Sequence, residues 1–335
     1  YCGQGVQAIA IGEQAGASGQ ARFSVAMGYQ AGYTIQNANS IAIGFQTGVN
    51  NQGTGAVAIG SGVIGYLWSA GQTLQGAYAV AIGSGASASN QGSSAVSIGQ
   101  QLNNAGGQAN QGVNAVSIGP NSGNVSQGIS AIAIGDTAGG SGQGNYAVAI
   151  GFNAGYCGQG VQSIAIGVQA GGSGQQTFAI AQGYQAGYNL QYTRAIAMGF
   201  NAGYTSQGTA AVAIGNTSGY TSQGSGAIAI GDGAGYCGQG VEAIAIGEQA
   251  GASTQATFAI AIGVQAGSAL QGIASVAIGN TSGFTSQGSG AIAIGDGAGY
   301  CGQGVQAIAI GEQAGGSGQG RSTNCLLYTS DAADD

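Results

Sequence analysis

Along nearly the whole chain a five-residue motif returns in which large aliphatic residues alternate with small ones. Ala-Ile-Ala-Ile-Gly, with small variations, ends at Gly12, Gly28, Gly44 and Gly60, then at Gly83, Gly99 and Gly119, and from Gly135 it recurs every sixteen residues to Gly311, nineteen copies in all. Ile or Val stands three before the Gly in every copy, and Ile stands one before it except at Met27, Met198 and Gln182. Ala or Ser fills the positions between. A strict period of two is the signature of a strand, because successive side chains point to opposite faces. Sixteen residues are too few for a helical-pair repeat and suit one rung of a coiled parallel sheet. The pattern therefore predicts an all-β, single-chain parallel β-solenoid of about nineteen rungs. At about 4.8 Å per rung the expected rod is roughly 90 Å long.

Size suggests which face is inside. The branched Ile/Val side is expected to fill the coil, each rung burying about two side chains worth roughly 1.5–3 kcal/mol apiece. Gln182, in an otherwise Ile/Met column, would then need an internal partner or water. The Ala/Ser face is left outward, either solvated or packed closely against another chain; a strand without charge on either face favours the packed arrangement.

A second column lies eight residues after the Gly, where Gln recurs at Gln20, Gln36, Gln52, Gln143, Gln159, Gln207, Gln223 and Gln239 among others. Two readings stand, a structural ladder of stacked amides and a ligand-facing row; presence in every rung favours the ladder. Two steps of the period are long, 60 to 83 and 99 to 119, and both keep the Gln at its usual distance from the next motif, at Gln75 and Gln111. The additional residues thus fall within 61–74 and 100–110. These segments carry Tyr66, Leu67, the sole tryptophan Trp68, and Leu102. Insertions in repeat proteins map to loops on one face, so these four residues are the candidate binding patch, with shielding of the coil as the plainer alternative.

Composition removes most chemistry. The 335 residues include 72 Gly, one Pro, no His, and three cations, all arginine, against ten acids, for a net charge of −7. That excludes a basic nucleic-acid surface and any mechanism needing His or Lys. Gly does not recur every third residue, which excludes collagen. No stretch is long and apolar enough for a membrane helix. Four of the five Cys (Cys2, Cys157, Cys237, Cys301) share one column; Cys237 and Cys301 are four rungs, roughly 19 Å, apart, too far to pair within the chain. Free thiols and pairing between chains both remain open. Without His or C-x-x-C spacing, no metal site and no cofactor are expected. Acids follow the strand Gly at Glu13, Asp136, Asp232, Glu248, Asp296 and Glu312, read as solvated turn residues because calcium β-roll spacing is absent. Aromatics line up five after the Gly, among them Tyr33, Tyr188, Tyr204, Tyr220, Tyr236, Phe284 and Tyr300, either stacked on one another or forming a contact stripe.

The repeated Ala-Ile-Ala-Ile-Gly (8–12, 227–231, 291–295), followed by Ala-Gly and Gln-Gly, resembles the head repeats of trimeric autotransporter adhesins, the YadA-like heads. The Gly-Tyr-Gln-Ala-Gly pentads at 28–32 and 183–187 are also similar to repeats of phage and giant-virus fibre proteins. The resemblance spans residues 1 to about 320. It implies a left-handed β-roll, three chains side by side, and display on a cell surface, the bacterial outer membrane, or on a virion, for contact with host matrix protein or surface glycan. The rungs are a little longer than the usual head repeat.

The expectation is a non-enzymatic adhesin head or virion fibre segment, extracellular, homotrimeric, with no nucleic-acid partner and no membrane insertion within 1–324. An ice-binding solenoid is the rival, though it needs a regular Thr array and the candidate column is mixed: Thr205, Thr221, Cys237, Ser253. The repeat domain is expected to cover 1–324, opening in mid-repeat because the pattern at Tyr1 returns at Tyr156 and Tyr300. Residues 325–335 resemble a translated sequencing adapter and are set apart from the fold.

Overall fold

A computed structural model describes residues 3–60, 69–100 and 109–320, and the strand Asn324–Leu326. Among them every regular element is a strand of three residues, and none is a helix. The chain divides into two compact units, Tyr1–Gln169 and Ala170–Asp335, built alike. In each unit the chain coils with one rung per motif and two walls per rung. The first wall stacks the aliphatic strands in parallel and in register, as with Ile228↔Ile244, Ala229↔Ala245 and Ile230↔Ile246. The second stacks the strands that end in Gln. In the first unit these run from Ser18–Gln20 to Ser141–Gln143 as an eight-stranded sheet, and in the second from Asn189–Gln191 to Thr285–Gln287 as a seven-stranded one. Sixteen residues per rung and a parallel β-solenoid are as the period predicts.

The direction of the faces is the reverse of the expectation. The small residues are inside: Ala227, Ala229 and Ala234 are fully buried, and Ala229, Ala245, Ala261 and Ala277 belong to one alanine core. The aliphatic residues point out, with Ile214, Ile230, Ile262 and Ile278 each at least 36% exposed. The reason is the depth of the coil. Gln239 stands on one wall, is 2% exposed, and its Nε2 donates to the carbonyl of Ile228 on the other wall at 2.7 Å. One Gln side chain spans the lumen, so nothing larger than Ala or Ser fits opposite it. Burial of Ile/Val therefore contributes little within one chain. Gln182 is also relieved of any need for an internal partner, since it lies on the exposed outer face.

Two glycine columns are set by contact. Gly231 adopts φ +134°, and a Cβ there would stand 2.5 Å from the carbonyl oxygen of Gly247 in the next rung. Gly235 adopts φ +53°, and its Cβ would meet Oε1 of Gln239 at 2.8 Å. The first glycine lets successive rungs close on each other; the second makes room for the lumen amide. Other corners with positive φ face open space and carry ordinary side chains, such as Gln249 (φ 53°) and Glu242 (φ 54°), at the modest cost of that region.

The two long steps leave the pairing intact. Val57 pairs with Val80 and Gln52 with Gln75 across the first, and Val96 with Val116 and Gln91 with Gln111 across the second. At the far end Asn324–Leu326 pairs in parallel with Ile308–Ile310, so ladder pairing runs two residues past the boundary drawn at 324.

Candidate binding surfaces

The Gln row lies inside the coil, out of reach of a ligand. Nε2 of Gln20 donates to Ile9 O at 2.8 Å, Gln36 to Val25 O at 2.8 Å, Gln52 to Ile41 O at 2.6 Å and Gln143 to Ile132 O at 2.7 Å. Gln159, Gln207 and Gln223 bond Val148 O, Ile196 O and Val212 O in the same way. Contacts between amides join only some neighbours, including Gln143 to Gln159 and Gln223 to Gln239, both at 3.1 Å. The chief bond thus ties one wall of the rung to the other, and the link along the axis is secondary. Several amide oxygens, such as those of Gln20, Gln36 and Gln255, accept no hydrogen bond; they rest against the glycine that makes room for them.

Tyr66, Leu67, Trp68 and Leu102 lie outside the described residues, as does Cys2. Cys157, Cys237 and Cys301 are exposed free thiols, and the Cys301 sulfur lies 3.0 Å from Thr285 Oγ1. Of the acids, Asp232 accepts a hydrogen bond from Asn216 Nδ2 at 2.9 Å and Asp296 one from Asn280 at 3.1 Å, each across one rung. Among the described residues no three His, Cys, Asp or Glu gather as metal ligands.

The outer surface is organised into rows. Tyr188, Tyr204, Tyr220 and Tyr236 stack ring on ring at 5.2, 5.0 and 5.0 Å, each pair 9° from parallel, and Phe284 stacks on Tyr300 at 5.0 Å. Rung spacing dictates this, because identical positions recur at the strand separation, close to an offset-stacking distance. Burial, with Tyr220, Tyr188 and Tyr184 close by, holds the Tyr204 phenol above its ordinary pKa of 10.0. A second aromatic row, missed in the sequence, sits directly after the strand Gly: Tyr29 stacks on Phe45 and Tyr184 on Phe200. The repeated Gly-Tyr and Gly-Phe pairs sixteen residues apart were its signal.

The largest feature is the aliphatic face. Each first-wall strand sets two outward side chains directly above those of the preceding rung, so Ile, Val and Met form two columns in each unit, interrupted at Gln182 in the second. Among the described residues nothing buries them.

These features define a class: a non-helical repeat protein whose thin alanine and glutamine coil carries its large apolar residues on the outside. More particularly, three stretches of the chain are similar to YadA-type head repeats: the family described as the YadA head domain repeat matches residues 4–31, 75–100 and 239–266. Each of these stretches opens on a Gln of the row or its equivalent (Gln4, Gln75, Gln239). No curated protein and no solved structure matches the chain.

Proposed function

We propose that the chain is the head segment of an attachment fibre, displayed outside a cell or on a virion, and that copies of it join into a homotrimer through the outward Ile/Val face. One observation carries the reading: two aliphatic columns, interrupted at Gln182, lie on the surface of a repeat whose own alanine and glutamine core closes without them. An apolar surface of this kind marks an interaction site. A second and third copy of the same chain match it rung for rung, and YadA-like heads are trimers by the resemblance that the repeats carry. This replaces the packed Ala/Ser face expected from the sequence: those residues are lumen, so Ala229→Glu would break the coil rather than a seam.

The proposed contacts to host matrix protein or surface glycan fall to the remaining outward positions, with the insertions that hold Tyr66, Leu67, Trp68 and Leu102 as the first segments to test. The ice-binding alternative gains nothing here, since the column of Thr205, Thr221, Cys237, Ser253 and Ala269 is in register but irregular in chemistry.

Sedimentation equilibrium of the full chain tests the assembly. The wild type should sediment as a trimer, and Ile230→Glu with Ile262→Glu should shift it to monomer while the β-sheet circular dichroism stays, because a charge in a dry apolar seam goes unpaired. A wild type that stays monomeric at high concentration overturns the reading.

A further inference from the structure

Two clefts of the same make open on the outer surface of the second unit, and neither belongs to the aliphatic face. Each arises where an aromatic row stops. Tyr236 has one ring face against Tyr220, but the next rung offers Ala252 where the row would place another ring. Tyr300 likewise covers Phe284, and Gly316 follows. The terminal ring thus keeps one face open over a cleft, about 330 Å³ at Tyr236 and about 580 Å³ at Tyr300. Carboxylates line both: Asp232 and Glu248 in the first, Asp296 in the second. One hydrogen bond from the preceding rung steadies each aspartate, from Asn216 and Asn280 respectively. A carboxylate accepts about four hydrogen bonds, so capacity remains.

Carboxylates alone at these corners would be solvated turn residues. The open ring face beside them changes the chemistry. An aromatic face attracts a cation through its quadrupole. A guanidinium is flat enough to stack there while its edge forks onto a carboxylate, which an ammonium cannot do. The chain has three arginines and no lysine against ten acids, so its own cations are too few to fill such sites generally.

The two clefts repeat at Tyr236 and Tyr300, four rungs apart along one unit, or about 19 Å at the strand spacing. An extended peptide advances about 3.3 Å per residue, so about six residues span that distance. We propose that the clefts are paired receptors for arginine side chains, taking two arginines about six residues apart on an extended segment of a partner protein. The inference rests on the attachment reading for its biological sense, but each cleft is complete within one chain.

Fluorescence anisotropy of a labelled peptide with arginines at positions one and seven, titrated with the full chain, provides the test. Replacing both arginines with neutral citrulline should weaken binding at least tenfold. Shortening the spacer by three residues should weaken it severalfold, since the second contact loses its effective concentration. Ala252→Tyr extends a row that the fold already accommodates and fills the first cleft, so it should cut affinity at least fivefold without lowering the melting temperature. Asp232→Asn with Asp296→Asn should do the same and flatten the salt dependence. Equal binding of the citrulline peptide, or indifference to Ala252→Tyr, overturns the proposal. So does a neutral oligosaccharide that binds in a manner sensitive to Ala252→Tyr, which would make the open rings sugar platforms. A chain that sediments as a trimer yet ignores the peptide refutes the clefts and leaves the assembly standing; a monomer that binds it does the converse.

Discussion

Replacing Gln239 with Leu asks what holds a coil whose core is mostly alanine. The amide donates to Ile228 O at 2.7 Å and to Ala243 O at 3.2 Å, and accepts from Gln223 Nε2 at 3.1 Å. Leu is close in volume, so the cavity term is small and the polar term dominates. Gln223 keeps its bonds to Val212 O and Ala227 O and loses only its third contact. The carbonyl of Ile228 stays in its parallel ladder and loses only the side-chain donor. Three side-chain bonds go, each worth about 0.5–1.5 kcal/mol net, which puts the loss at about 2–4 kcal/mol. For a unit of this size each kcal/mol lowers the melting temperature by about 2–4 °C, so Gln239→Leu should melt about 4–16 °C below wild type in a circular-dichroism scan. Gln182→Ile, on the outer face, is the control and should leave a monomeric chain within about 0.5 kcal/mol of wild type. A Gln239→Leu chain that melts within 2 °C of wild type, a shift of about 1 kcal/mol at most, would refute the argument and assign the coil's cohesion to alanine packing and the backbone ladder.

Gly231→Ala and Gly233→Ala should separate contact from conformation in urea melts. The first sets a methyl 2.5 Å from the Gly247 carbonyl and should cost more than about 3 kcal/mol, while the second, at φ +62° with its nearest neighbour 3.5 Å away, should cost only the left-handed backbone term of about 1–2 kcal/mol. For Tyr204, whose folded pKa is raised chiefly by burial, the unfolded chain ionises first as pH climbs past 10.0, so its contribution is intact below that pH and is lost above it. Stability should therefore fall on the alkaline side, phenolate absorbance should show a late-titrating tyrosine, and Tyr204→Phe should remove both effects.

The period, the strands and their parallel stacking were all legible, because each follows from spacing alone. Which face lay inside was not, since the rule that large apolar residues go inward presupposes a core deep enough to hold them. Two signals pointed the other way. Position 229 and its equivalents never exceed Ser in size, a limit that only a confined space imposes, while the Ile column accepts Met27, Met198 and Gln182, as a surface does. The Gln row was legible as a column, but its chief bond, across the lumen to Ile228 O and its equivalents, depends on wall separation, which no spacing encodes. The clefts were illegible for a further reason: they exist where Ala252 and Gly316 interrupt a row, so they are written as missing rings rather than as a motif.

The close seating of each strand glycine on the next has a consequence for length. Every rung presents the same floor and the same ceiling, so an in-frame gain or loss of sixteen residues re-forms the same ladder bonds and the same lumen amides. Reach can then change by whole rungs without a new fold having to be found. What such an exchange alters is only the order of side chains on the outside, including where an aromatic row ends. The number and placement of open ring faces can therefore be reshuffled while the coil beneath stays the same.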